Sequence, residues 1–286
     1  MSSSTEVLIV KKITPAYWRT TFSNGPLNLF QPETYIALKR LATDLENDKD
    51  VRVVVFDSDS PEYFIAHFDM LRGMEEPEGA GTGVISDWGN FVMRLVRLPV
   101  VSVAAIAGRV RGHGNEFINA CDVRFASRER SIFSQPEVGA GVTPGGGGFE
   151  WLTRNVGRSR AIEIILGSDD FDGTTAELYG WINRAIPHKD FEAFVDRFAR
   201  RIAGFDKRPL IEAKRVINAR AGVPTDVDLL SSMALFVQSC QWPSTSTRIK
   251  ALFERGLQQN GEGELNLGDI LGQITAEDLQ RISSQK

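Results

Sequence analysis

Two cysteines and three histidines in 286 residues leave little room for the chemistries that depend on them. Cys121 and Cys240 stand far apart and lack metal-ligand spacing, so neither a disulfide framework nor a zinc site is expected. Both read as buried thiols in a reducing compartment. Charge of one sign is also missing, because 33 basic and 37 acidic residues are mixed along the chain with no basic block to follow a phosphate backbone. Nucleic acid is therefore not an expected partner. No stretch reaches the ~18 apolar residues of a membrane span, and the opening MSSSTEVLIVKK lacks the basic and apolar segments of a secretion signal. A soluble, cytoplasmic protein without a membrane partner is expected.

What is present is a hydrophobic content of 42%, enough for a sizeable core, and a readable order of elements. EVLIVKKI and AYWRTTFS (6–13 and 16–23) read as paired strands around a Thr-Pro turn, and Asn24 to Pro26 as a breaker. PETYIALKRLATDLENDK carries Tyr35, Leu38, Leu41 and Leu45 at helical spacing, with Pro32 and Glu33 suited to a first turn. VRVVVFDS (51–58) and VVSVAAIAG (100–108) are apolar and β-branched, as strands buried on both faces are. The helical pattern of 84–98 between them gives a parallel crossover. A third unit follows, with a helix over GNEFINACD and short strands VRFAS and SIFS. Beyond TPGGGG the chain reads as helices, and the acidic, glycine-containing NGEGELNLGDILGQ is expected to be partly ordered at best.

Two glycine-rich stretches are candidates for chemistry. GRVRGHGNEF (108–117) is no phosphate loop, since it lacks the Gly-Lys-Ser/Thr ending and places Phe117 where a dinucleotide loop needs its third glycine. It reads as a strand-to-helix turn whose free N–H groups can stabilise developing negative charge. SQPEVGAGVTPGGGG (134–148) sets Glu137 on a second turn. Two carboxylates beside two such turns can divide acid and base roles in a dry cleft.

AIAGRVRGHGNEFINACDVRFASRERSIFSQPEVGAGVTPGGGG (105–148) resembles the enoyl-CoA hydratase/isomerase, or crotonase, superfamily in order, spacing and most residue types. YFIAHFDM (63–70) is similar to that family's Phe-Ala-Ala-Gly-Ala-Asp-Ile segment, and the resemblance extends over about residues 5 to 220. It implies an α/β fold, a spiral of strand, strand, helix units over 1–186, with a helical C-terminal oligomerisation region over 187–286. Homotrimers or dimers of trimers are implied with it. The substrate it implies is an acyl-CoA thioester, with no metal and no cofactor beyond the coenzyme A of the substrate. Carried across residue by residue, it gives oxyanion donors at the backbone N–H groups of Phe68 and His113 and the catalytic acids Glu116 and Glu137. Ala66, His67, Asp69 and Gly112 would surround the thioester. Both acids together favour hydration. Isomerase, thioester hydrolase, lyase and a non-catalytic CoA-ester binder remain open on the same scaffold.

Departures cluster at the same turns. His67 and His113 stand where the family carries glycine, so each imidazole could point away from the cleft, supply a proton donor or narrow the acyl pocket. His188, beside Pro187, reads as a surface residue. Arg109 and Arg111 could form surface salt bridges or bind an anion at the cleft mouth. A metal site from His67, Asp69, His113 and Glu116, or a nucleophile at Ser134 beside a histidine, would each require the turns to converge.

Overall fold

The computed structural model describes residues 7–72 and 84–284. Its first elements follow the hydrophobic pattern: β1 (Leu8–Thr14) pairs antiparallel with β2 (Tyr17–Phe22), and α1 (Pro32–Asn47) buries Tyr35, Leu38, Leu41 and Leu45. One unit then recurs. β3 (Val53–Ser58) and β4 (Tyr63–Ile65) precede α2 (Val84–Arg97), and β5 (Val101–Ile106) and β6 (Arg109–Arg111) precede α3 (His113–Ala120). β7 (Val123–Ser127) and β8 (Ile132–Ser134) lead into α4 (Glu137–Ala140), α5 (Gly148–Val156) and α6 (Arg158–Gly167). β9 (Phe171–Asp172), α7 (Gly173–Tyr179) and β10 (Arg184–Ile186) complete the last turn.

Each turn of this spiral places one strand in each of two sheets. The larger runs β1-β2-β3-β5-β7-β10 and the smaller β4-β6-β8-β9. β3, β5, β7 and β10 are parallel to their neighbours because each is reached by a crossover, and β4, β6 and β8 are parallel for the same reason. The run 100–108, expected as one strand, ends at Ile106; the chain turns through Ala107 and Gly108 and enters the second sheet as β6. A two- or three-residue strand has too few positions for period-two alternation, so β4, β6 and β9 left no pattern in the sequence, whereas β8 lies within the short strand expected at SIFS.

Helices close both faces. α8 (His188–Ala203), the first helix beyond residue 187, packs Phe191, Val195 and Ala199 against Val53, Val55, Val103 and Phe125 of the large sheet. α9 (Lys207–Ala221) and α10 (Asp226–Ser239) follow, then α11 (Pro243–Glu254), α12 (Glu262–Leu265), α13 (Leu267–Gln273) and α14 (Ala276–Ser283). The segment expected to be partly ordered at best is thus α12 and α13. Leu267 and Leu271, four apart on one face, pack with Ala140, Leu252 and Leu257 in a satellite core. Cys121 is buried as expected, whereas Cys240 is exposed at the end of α10 because its own turn faces outward. Among the described residues, no helix is long and apolar enough to cross a membrane.

α3 is fixed by aromatic packing. Phe117 meets Phe22 and Phe56 edge-on, with ring centroids 5.4 and 5.1 Å apart, joining the helix to both β2 and β3. Phe117→Ala should therefore lower unfolding free energy by about 3–5 kcal/mol. Urea denaturation checks this, and a loss below ~1 kcal/mol would show that α3 is held elsewhere.

Candidate active site

Three adjacent parallel strands of the small sheet, β4, β6 and β8, end on the same edge, and each delivers one part of a site. β4 runs into Ala66 to Asp69, β6 into Gly112 and the start of α3, and β8 into Gln135, Pro136 and Glu137. Loops at the carboxyl ends of parallel strands converge because the strands share a direction. Gly112 joins two of them: its φ of 50° suits a residue without Cβ, and a Cβ there would come 2.9 Å from Glu137 Oε1.

The three turns surround a cavity of ≈ 100 Å³ that also contacts α10, α11 and α13. Its far wall is apolar, formed by Met233, Phe236, Leu252, Leu257, Leu267 and Leu271. Its near end carries His67, Phe68, Gly112, His113, Glu116 and Glu137. Six of the eight residues expected around the thioester therefore line one space. Ala66 does not, because it packs beneath the turn with Leu27 and Tyr63. Asp69 does not either: its Oδ1 accepts from the Leu71 and Arg72 amides, holding the turn from behind.

The two glutamates are held differently. Glu116 Oε1 accepts from the backbone N–H groups of Gly146 and Gly148 at 2.8 and 3.2 Å, while Oε2 lies 3.2 Å from His113 Nδ1. Gly146 must lack a side chain, since a Cβ there would lie 2.2 Å from Glu116 Oε2. Glu137 receives a single side-chain donor, Gln135 Nε2 at 3.0 Å on Oε2. Burial pushes both carboxyls well above the usual carboxylate range, and the charge of Glu116 raises Glu137 further. The Gly146 and Gly148 amides oppose the rise at Glu116. The pair therefore retains protons at neutral pH that two exposed glutamates would have lost.

Phe68 and His113, expected to supply two backbone donors, both line the cavity. Phe30 N–H donates to His67 O at 2.8 Å and Asp69 N–H to Phe30 O at 3.0 Å, a parallel bridge that leaves the Phe68 N–H on the opposite side of the strand. His113 is the first residue of α3, so its N–H has no intrahelical acceptor.

The two imidazoles both line the cavity but have different partners. The His113 ring lies among Phe30, Phe68 and Trp88, 4.0 Å from the Trp88 ring, and burial lowers its pKa to about 3. It is neutral, with Nδ1–H directed at Glu116 and Nε2 lacking a partner among the described residues. His67 turns toward the C-terminal segment: Nδ1 lies 2.7 Å from Phe68 O and Nε2 3.2 Å from Glu264 Oε2. Burial alone would lower its pKa, but the fully buried Glu264 carboxylate reverses the sign and raises it. Both nitrogens lie against acceptor oxygens, an arrangement that favours the doubly protonated ring.

The arginines are not at a cleft mouth. Arg111 is fully buried and binds Asp170 through Nε and Nη2, with further bonds to the carbonyls of Glu264 and Leu265. Arg109 pairs with Glu62 and the Leu265 carbonyl. His113 and Glu116 face each other while His67 faces Glu264 and Asp69 faces Gln258, and the described residues contain no group of three or more His, Cys, Asp or Glu suited to a metal. Ser134 Oγ is buried without a hydrogen bond to any histidine, and His188 bonds Ser127 away from the cavity. Glu264, Gln258, Gln135 and Trp88 escaped the sequence reading. Leu267 and Leu271 were the one available signal that the tail docks.

Glu137 carries a raised pKa in the folded chain, so its contribution to stability is complete below its unfolded pKa and is lost as pH rises through the folded value. Glu137→Gln removes that cost without changing shape. The variant should gain about 1–3 kcal/mol over the native chain between pH 6 and pH 9. Urea unfolding at the two pH values measures this, and parallel pH dependences would refute it.

A model of the enoyl-CoA hydratase/isomerase family matches residues 18–238. Among curated proteins, the short-chain-enoyl-CoA hydratase of Clostridium acetobutylicum is 30% identical over 207 residues, covering 71% of this chain and 76% of that protein. A Dictyostelium discoideum protein named "Probable enoyl-CoA hydratase, mitochondrial" is 29% identical over 177 residues, and the chain spans 61% of its length. Among solved structures, "a putative enoyl-CoA hydratase from Streptomyces avermitilis" superposes with a TM-score of 0.90 at 40% identity, covering 96% of this chain and 100% of that one. With the two-sheet spiral and the matched span in agreement, the chain belongs to the enoyl-CoA hydratase/isomerase family.

Proposed function

We propose that this protein adds water across the double bond of an α,β-unsaturated acyl-CoA thioester. The observation that carries the reading is the placement of a buried and a half-buried carboxylate, Glu116 and Glu137, with unequal hydrogen bonding, at the polar end of one otherwise apolar cavity. Glu116, steadied as a carboxylate by the Gly146 and Gly148 amides, accepts a proton from water. The water oxygen bonds to C3, and the C2–C3 electron pair moves so that negative charge gathers on the thioester oxygen. The Phe68 and His113 amides stabilise that enolate, and one such donor lowers a barrier by roughly 3–4 kcal/mol. Glu137, less well supplied with donors, carries the proton that passes to C2. The pair then exchanges its proton to restore the starting state.

The apolar wall fits an acyl chain and excludes water from the enolate. Coenzyme A enters as the handle of the substrate, and no metal or other cofactor has a role in these steps. We further propose a cytoplasmic protein acting as a homotrimer or dimer of trimers.

Crotonyl-CoA hydration, followed by loss of the enoyl absorbance, tests the reaction. Glu116→Gln and Glu137→Gln should each lower kcat by roughly 10²–10⁴. Retained turnover in either variant would point to single-carboxylate isomerase or hydrolase chemistry, and CoA-ester binding without turnover would indicate a non-catalytic binder. The steps need one carboxyl ionised and one protonated, so with both titrating high the rate should be greatest between the pair's two apparent pKa values, falling toward acid as the second proton binds and toward alkali as the last is lost. A pH–rate profile with its maximum already near pH 5 would contradict it.

A further inference from the structure

Outside the carboxylate pair, the chain carries a second buried cluster of charge, and it grips one turn of the site from both sides. On one side of Phe68, the His67 ring bridges the Phe68 carbonyl and Glu264 Oε2. On the other, Gln258 accepts from the Met70 N–H at 2.6 Å and donates to Asp69 Oδ1 at 3.0 Å. Gln258 also donates its backbone N–H to Glu264 Oε2 at 2.7 Å, so both grips end on one carboxylate. Gln258 adopts a φ of 59°, a conformation costly for a residue with a side chain and maintained here by three hydrogen bonds. From the β6 side Arg111 Nη1 donates to the Glu264 backbone carbonyl at 2.7 Å and lies 3.7 Å from Glu264 Oε1, an ion pair without a hydrogen bond.

We propose that Glu264 is a positioning residue, which through the His67 imidazolium and Gln258 sets the direction of the Phe68 N–H toward the thioester oxygen. The inference rests on the thioester reading above. The charged groups around the His67 ring are Glu264 from α12, Arg111 from β6 and Glu137 from α4. The positive ring also acts on Glu137, opposing the rise of its pKa. Loss of the ring charge therefore has two consequences. The Phe68 amide is released from its fixed direction, and Glu137 holds its proton to higher pH.

Glu264→Gln keeps the shape of the side chain and removes its charge. In crotonyl-CoA hydration, kcat should fall roughly tenfold or more, because small misplacements of a reacting group are costly. KM should stay within about twofold, since the altered group binds no substrate. The alkaline limb of the pH–rate profile should move upward. His67→Asn should reproduce both effects, and the double variant should be no worse than either single one. With only three histidines in the chain, ring-nitrogen NMR of 15N-histidine-labelled native protein reads the His67 charge directly and covers the case in which a variant does not fold. An imidazolium signal at pH 7.5 is expected. A neutral His67, or a folded Glu264→Gln with unchanged kcat and unchanged alkaline limb, overturns the proposal. Should the native chain turn over no enoyl-CoA, the hydratase reading fails separately. The positioning claim is then judged by affinity for the enolate mimic acetoacetyl-CoA, which should drop roughly tenfold in Glu264→Gln and, if unchanged, refutes it.

Discussion

Desolvation of two carboxylates inside one apolar cavity is the constraint to which the surrounding structure answers. A buried carboxyl either finds donors or keeps its proton, and Glu116 and Glu137 divide these solutions between them. Glu116 requires two backbone amides, which brings the loop at Gly146 so close that only a residue without Cβ fits. Glu137 requires a short helix pressed against Gly112, and Gly112 in turn must adopt a positive φ. The glycines are therefore consequences of the acids, and the strand ends of the small sheet are consequences of needing three turns at one edge.

This explains which parts were legible in the sequence. Residues 105–148 carry the acids, the turn glycines and one amide within a single run, so their spacing survives as a motif. The long strands and α1 were legible from apolar periodicity, because each buries a regular face. β4, β6 and β9 were not, being two or three residues long and defined by partners distant in sequence. Arg111 illustrates the same limit at a side chain. Beside a glycine-rich turn it reads as exposed or anion-binding, yet Asp170 and two tail carbonyls, all remote in sequence, turn it into a buried strut.

The buried residues His67, Glu264 and Arg111, with half-buried Asp170 beside them, are hard to explain by stability alone. Taking ions out of water costs several kcal/mol each, and well-packed apolar residues of similar volume often do as well or better. What such a network supplies is a single geometry, because each charge tolerates only one arrangement of its partners. Here the fixed geometry joins a C-terminal segment of little intrinsic regularity to the turn that carries Phe68. The satellite core around Leu267 and Leu271 supplies the apolar part of the docking, and the charges supply its register.

The two histidines can then be understood without assigning the same role to both. A side chain at position 113 leaves the backbone N–H in place, and the ring is accommodated by an aromatic box that keeps it neutral and points Nδ1–H at Glu116. A side chain at position 67 also leaves the turn intact, but its ring is drawn the other way, out toward Glu264. Burial lowers the pKa of one imidazole and a carboxylate raises that of the other, so two identical residues on neighbouring turns are shifted in opposite directions. Each ring thus answers to its own surroundings, His113 to Phe30, Phe68 and Trp88 and His67 to Glu264.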